Sequence, residues 1–103
     1  MSSLKDQLKA DLTTAIKSRD EVTAATIRMA LTAITNEEVS GKEARALSDD
    51  DVLTVLGREA KKRREAADAY RAANRPELAE RAEAELAVLA RYLQQQLAET
   101  APR

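Results

Sequence analysis

Four amphipathic segments follow one another along the chain, and in each the apolar residues recur every three or four positions. This spacing predicts a first helix from about Ser3 to Arg19 and a second from about Glu21 to Ser40. A third helix is expected from Ser48 to Asn74, and a fourth has Pro76 in its first turn. No strand-like alternation is present. The predicted fold class is therefore an all-α antiparallel bundle of four principal helices, because short connections place consecutive helices side by side.

The predicted core is the apolar face of each helix. In the second helix this face covers about half the circumference, which predicts a central position. Tyr70 is expected in the core, and Tyr92 at the half-exposed edge of the fourth stripe. The core positions are Leu4, Leu8, Leu12, Ala15 and Ile16, then Val22, Thr26, Ile27, Met29, Ala30, Leu31, Ala33 and Ile34, then Val52, Leu56, Ala60, Ala67 and Tyr70, and finally Leu78, Ala82, Leu86, Leu89, Leu93 and Leu97.

Composition narrows the possible functions. The 103 residues include no His and no Cys, so disulfides and thiolate chemistry are excluded, and a cytoplasmic protein without metal or cofactor is expected. The 17 basic and 18 acidic residues give a net charge of −1, which provides no overall attraction to nucleic acid. No apolar run is long enough to cross a membrane. No nucleophile with a neighbouring base is found either, so no catalytic residue is assigned.

A local group of basic residues in the third helix is the candidate binding surface. We name it the cationic face, and it consists of Arg58, Lys61, Lys62 and Arg64. Such a group could contact the phosphates of an RNA. The alternative is a solvated face neutralised along its own helix, through the pairs Lys61–Glu65, Arg64–Asp68 and Glu59–Lys62. Both interpretations are open at this stage, and the solvated face is the commoner outcome.

Two further charged groups receive structural interpretations. Arg63 falls on the apolar side of its helix, where a charge needs a partner, and Glu37 lies within the apolar arc of the second helix. We therefore expect an Arg63–Glu37 ion pair between the second and third helices. The three residues Asp49 to Asp51 follow Ser48, and they are expected to complement the helix dipole. A metal site is the weaker alternative, since neither His nor a calcium-loop spacing accompanies them.

Several segments together resemble the YqeY family. They are Leu4–Leu12, Thr26–Met29 with Asn36–Glu38, Leu47–Val52, Arg63–Glu65 and Tyr92–Leu93. The family is related to the C-terminal region of GatB, the tRNA-contacting subunit of the glutamine-dependent amidotransferase that acts on misacylated tRNA. The resemblance implies a helical domain followed by a smaller helical tail domain. Here we expect the bundle domain at residues 1–98, a short tail at 99–103 and no tail domain. Gln94 stands where the family usually has Pro, so the fourth helix is expected to continue beyond it.

The resemblance also implies a function. It suggests an accessory or binding module associated with a carbon–nitrogen ligase that uses glutamine as amido donor. The module is expected to be non-catalytic by itself, with tRNA, amidotransferase subunits or a second copy of the chain as possible partners. The cationic face is the expected contact with tRNA. The alternative is a helical protein–protein interaction or dimerisation module that binds no RNA. Salt separates the two, because binding through Lys and Arg weakens steeply as salt rises.

Overall fold

The computed structural model describes residues 3–41 and 45–100, and of residues 96–100 it describes the backbone alone. These ranges contain four helices, α1 (Leu4–Lys17), α2 (Glu21–Val39), α3 (Asp49–Ala72) and α4 (Pro76–Thr100), and no strand. The predicted all-α class with four principal helices is confirmed. Helix α4 continues past Gln94, as expected where no Pro interrupts it. Leu97, a predicted core position, lies outside the residues whose side chains are described.

The chain divides into two compact units, Met1–Leu56 and Gly57–Arg103, and α3 passes from the first into the second. The predicted limits of a bundle domain at 1–98 and a tail at 99–103 stay a prediction, since residues 101–103 lie outside the described ranges. No helix in these ranges has an apolar stretch long enough to cross a membrane.

In the first unit, hydroxyl and carboxylate caps set the beginning of each helix. The Oγ of Ser3 accepts a hydrogen bond from the Asp6 amide at 3.1 Å, and Asp20 Oδ1 accepts one from the Thr23 amide at 3.2 Å. Ser48 Oγ accepts from the Asp51 amide at 3.2 Å, while the Ser48 amide donates back to Asp51 at 3.3 Å. This reciprocal pair satisfies amides that have no partner inside the helix. It confirms the predicted start of α3.

The core of the first unit follows the predicted stripes with three corrections. Leu8, Ile27, Ile34 and Leu56 are fully buried, and Val55 joins them although the sequence analysis had not placed it in the core. Leu12 is only half-buried. Ile16 is 50% exposed and Met29 is 40% exposed, so their assignment to the core was wrong. Ile16 lies next to the last residue of α1, where the helix ends and cover from α2 is reduced.

Two contacts tie the helix ends of the first unit together. Lys5 Nζ lies 2.9 Å from Glu38 Oε1, which joins the beginning of α1 to the end of α2 and shows that these helices run antiparallel. The amide of Leu4 donates to Asp49 Oδ1 at 3.0 Å, which joins the beginning of α1 to the beginning of α3. These contacts use the orphan amides at the start of α1 and a carboxylate whose position next to Ser48 follows from the N-cap.

Two helix ends use a left-handed residue, and neither residue is glycine. Arg19 has φ 61° after α1, and Asn74 has φ 58° after α3. After Asn74 the Arg75 amide donates to the Tyr70 carbonyl at 2.8 Å, and the Asn74 amide donates to the Arg71 carbonyl at 3.0 Å. These two bonds define a Schellman motif, which confirms Asn74 as the end of the third helix.

In the second unit, the buried face of α4 is rotated from its predicted position. Ala79, Ala82, Val88, Leu89 and Tyr92 are buried. Leu78 is 47% exposed, so its core assignment was wrong, and Leu86 and Leu93 are half-buried. The two tyrosines exchange roles, because Tyr70 is 36% exposed and Tyr92 only 7%. Tyr70 and Leu78 occupy the last turn of α3 and the first turn of α4, where the hairpin ends and their own helices cover them least.

Candidate nucleic-acid interface

The cationic face lies on the part of α3 that belongs to the second unit. All four of its side chains are exposed. In an α-helix, residues three and four positions apart are neighbours, so Arg58, Lys61 and Lys62 form one cluster and Arg64 adjoins Lys61. The helix holds the backbone of this surface rigid. The geometry therefore presents several cations to solvent within about two turns.

The expected neutralisation of this face along its own helix is only partly present. Lys62 Nζ lies 3.2 Å from Glu59 Oε2, as predicted. The predicted pairs Lys61–Glu65 and Arg64–Asp68 do not form, and neither Lys61 nor Arg64 makes an ion pair with any residue that the structure describes. Exposed pairs of this kind contribute little free energy, about 0.3–0.5 kcal/mol, so their long side chains gain little by meeting. Two cations thus remain available to an outside anion.

Arg63 interrupts the cationic face because its side chain points to the packed side of α3. Its side chain is 14% exposed, with Nη2 3.7 Å from Glu59 Oε1 and Nε 3.2 Å from Glu85 Oε1. Glu85 also lies 3.5 Å from Arg81 Nε. The network links α3 to α4 inside the second unit and keeps the Arg63 charge compensated. The charge does have carboxylate partners, as expected of its position.

The partner predicted for Arg63 was Glu37. Glu37 lies in the first unit and is exposed. The Arg63–Glu37 pair stays a prediction. The sequence analysis overlooked Glu85, whose helical position on α4 is half-buried and whose spacing to Arg81 is the usual i,i+4 spacing.

The acidic run at the start of α3 has a structural role for two of its members. Asp49 receives the Leu4 amide, and Asp51 completes the cap with Ser48. The hydrogen bond with the Ser48 side chain holds the pKa of Asp51 below its usual value, with Arg45 at 3.4 Å adding to the effect. In the part of the chain that the structure describes, no three acidic residues come together in a way that could hold a metal ion. The capping interpretation is confirmed for these two residues.

A second group of cations escaped the sequence analysis. Arg19 and Arg28 line a shallow depression beside the connection of α1 to α2. A signal was present in the sequence, since Arg19 directly precedes the cap residue Asp20 and so occupies the position where a helix usually ends on glycine.

Two comparisons with known proteins bear on the chain as a whole. The family profile described as Yqey-like protein matches residues 5–101, a range that includes the cationic face and the depression. A protein of the fission yeast Schizosaccharomyces pombe, itself described as uncharacterized, is 33% identical over 92 residues, which make up 88% of this chain and 72% of the yeast protein.

Proposed function

Because the chain belongs to the YqeY family, we propose that it is a cytoplasmic accessory module linked to glutamine-dependent tRNA amidotransferase. In this proposal the carbon–nitrogen ligation, with glutamine as amido donor, takes place on a larger enzyme. The chain itself contributes a contact with tRNA through the cationic face and supplies no catalytic group. The observation that carries the proposal is that Lys61 and Arg64 are exposed and have no carboxylate partner among the described residues.

The distribution of charge supports an RNA contact in this place. Up to Leu56 the chain has seven basic and ten acidic residues, and from Gly57 onward it has ten basic and eight acidic residues. The second unit is therefore locally basic although the whole chain is slightly acidic. A phosphate backbone would approach this unit with favourable electrostatics and would release condensed counterions on binding.

The test is binding of tRNA, followed by fluorescence anisotropy across a salt series. The test variant replaces all of the cationic face with alanine: Arg58→Ala, Lys61→Ala, Lys62→Ala and Arg64→Ala. The control variant removes the same number and kinds of exposed cations elsewhere: Lys9→Ala, Lys17→Ala, Arg28→Ala and Arg91→Ala. Both variants change the net charge equally, so a difference between them reports position rather than charge.

We expect the parent and the control to bind tRNA and the test variant to bind much more weakly. If all four cations contact phosphates, the slope of log K against log salt should become shallower by about 3 in the test variant. Equal loss in both variants would show a non-specific attraction and would contradict the proposed contact surface. Circular dichroism of both variants guards against loss of helix.

A second candidate function is a protein–protein interaction or dimerisation module that binds no RNA. It is favoured by the large apolar side chains that remain exposed in the described ranges. These are Ile16, Met29, Val39, Tyr70 and Leu78, with exposed fractions from 36% to 60%. Apolar association persists at high salt, unlike phosphate binding. Absence of tRNA binding at low salt, together with salt-independent self-association in sedimentation, would favour this candidate.

A further inference from the structure

The connection of α1 to α2 carries a shallow depression with a volume of about 220 Å³. Ala15 and Ala24, both buried, lie at its base, and the half-exposed Ile16 forms one side. Arg19 and Arg28 stand at its rim together with Asp20 and Glu21. We name this feature the arginine-rimmed depression. It lies entirely within the first unit and is separate in sequence from the cationic face.

Arg19 occupies this rim at an energetic cost. It has φ 61°, with the Asp20 amide donating to the Ala15 carbonyl at 2.9 Å and its own amide donating to the Ile16 carbonyl at 3.2 Å. Glycine is the residue that adopts this conformation freely, and Asn tolerates it better than most others do. The equivalent position of the α3–α4 connection is indeed Asn74. A bulky residue kept in a strained conformation suggests that its side chain is used.

The side chains at the rim differ in their availability. Neither the Arg19 nor the Arg28 guanidinium makes a hydrogen bond or an ion pair with any described residue. The Asp20 carboxylate, in contrast, accepts hydrogen bonds from the Thr23 amide at 3.2 Å and from the Thr23 hydroxyl at 2.7 Å. The depression thus offers two unused donor groups beside an apolar base, while a neighbouring carboxylate is occupied with capping α2.

These features together select one class of ligand. The volume is below the 300–1,000 Å³ that is usual for small-molecule sites, so it suits a single inserted side chain better than a metabolite. An aliphatic side chain matches the base formed by Ala15, Ala24 and Ile16. Guanidinium groups match carboxylates in geometry as well as in charge. A nucleic-acid backbone is a poorer match, since it has no aliphatic group and would meet Asp20 and Glu21 at the rim.

We propose that the arginine-rimmed depression is a docking site for a partner protein segment that inserts an aliphatic side chain and presents carboxylates to Arg19 and Arg28. An acidic amphipathic helix is the kind of segment that fits. The occupant follows from charge complementarity and from the size of the depression. The inference goes beyond the proposed tRNA contact and does not rest on it, because it concerns the other unit and another class of partner.

The test uses the full chain, labelled with ¹⁵N, and a defined probe. The probe is a 15-residue helical peptide of alanine, leucine and glutamate with blocked ends, in which glutamates flank each leucine three and four positions away. The control peptide has glutamine in place of every glutamate. We expect saturable shifts of the Ala15, Ile16, Arg19 and Ala24 amides with the acidic probe alone. Equal binding of the glutamine peptide, or no binding of either, would overturn the proposal.

Substitutions then test the assigned residues. Arg19→Gln, Arg28→Gln and Ile16→Ser should each weaken the acidic probe about tenfold or more, since a charge-assisted hydrogen bond or an inserted aliphatic group is lost. Lys9→Gln and Lys17→Gln remove exposed cations of the same unit that do not line the depression, and they should leave the affinity within about twofold. Equal weakening by all five would indicate general charge attraction and would contradict the site.

Arg19→Gly distinguishes use of the side chain from a merely structural role. It removes the strain, so its thermal midpoint should rise by a few degrees, as about 0.5–1 kcal/mol implies for a domain of this size. Its affinity for the acidic probe should nevertheless fall about tenfold. Unchanged affinity would overturn the role of Arg19. Titration with tRNA completes the test: shifts at the depression caused by tRNA and not by the acidic probe would reassign the surface to RNA.

Discussion

At the scale of single residues, Glu38 shows how one carboxylate can organise a helix junction. Lys5 Nζ lies 2.9 and 3.0 Å from its two oxygens, and the Leu47 amide donates to it at 3.5 Å. The hydrogen bond from Lys5 is the main cause of a pKa below the ordinary 4.5, and it outweighs partial burial, which acts in the opposite direction. The sequence analysis considered Glu38 only as part of a family segment, because its partner lies 33 positions away.

This arrangement predicts how stability depends on pH. A carboxyl whose pKa is lower in the folded state stabilises that state above the unfolded value near 4.5, and the effect is lost as the pH falls through the folded pKa. Glu38→Gln should therefore be less stable than the parent at pH 7, and the difference should shrink steadily below about pH 4.5. Urea unfolding at several pH values measures this.

The control for that experiment is Glu65→Gln, which removes an exposed carboxylate without an ion-pair partner in the described ranges. Its stability should follow the parent at every pH. A constant difference between Glu38→Gln and the parent from pH 7 to pH 3 would refute the role assigned to the Lys5–Glu38 contact.

At the scale of the helices, local signals predicted the boundaries well. Ser3, Asp20 and Ser48 each cap the helix that follows, and Pro76 opens α4. Caps act within one turn of chain, so their geometry does not depend on distant residues. The buried faces were less predictable. The Ala-rich stripe of α4 leaves its rotation weakly determined, and packing turned Tyr92 inward and left Leu78 outward.

Gly57 is a weak point inside α3. The sequence suggested close approach of a neighbour there, but an added Cβ would meet no atom within 4 Å, so that expectation was wrong. Gly57→Ala should stabilise the protein by about 0.5–1 kcal/mol, because alanine has the higher helix propensity and the space is open. The free energy of unfolding in urea measures the gain.

The reciprocal change, Ala69→Gly in the same helix, is the matched control, since Ala69 is exposed. It should lower the stability by a similar amount, about 1 kcal/mol. If Gly57→Ala were destabilising while Ala69→Gly behaved as expected, glycine at position 57 would be required for a reason other than helix propensity.

At the scale of the whole molecule, the two units differ in charge. The net charge of −1 conceals a first unit with an excess of acidic residues and a second unit with an excess of basic ones. We therefore expect tRNA and the acidic peptide to act on different units. With tRNA, amide shifts in a ¹⁵N spectrum should be confined to residues after Leu56 and be strongest around Lys61 and Arg64.

Salt provides the internal control for that map. Raising the salt from 50 to 200 mM should weaken the tRNA shifts by about 100-fold in affinity if four phosphates are contacted. Shifts that spread evenly over both units, or that persist at high salt, would contradict a phosphate contact located on the cationic face.

The sequence alone determined the fold class, the four helices, their caps and the exposure of the cationic face, because periodicity and capping depend on residues within a few positions of one another. Only the tertiary structure decided which charges are paired. Arg63 meets Glu85 across the α3–α4 hairpin, Lys61 and Arg64 stay without a partner in the described ranges, and the strained Arg19 comes beside Arg28. These outcomes depend on how closely the small-residue faces approach and on which rotamers then reach a partner, and neither is encoded in local spacing.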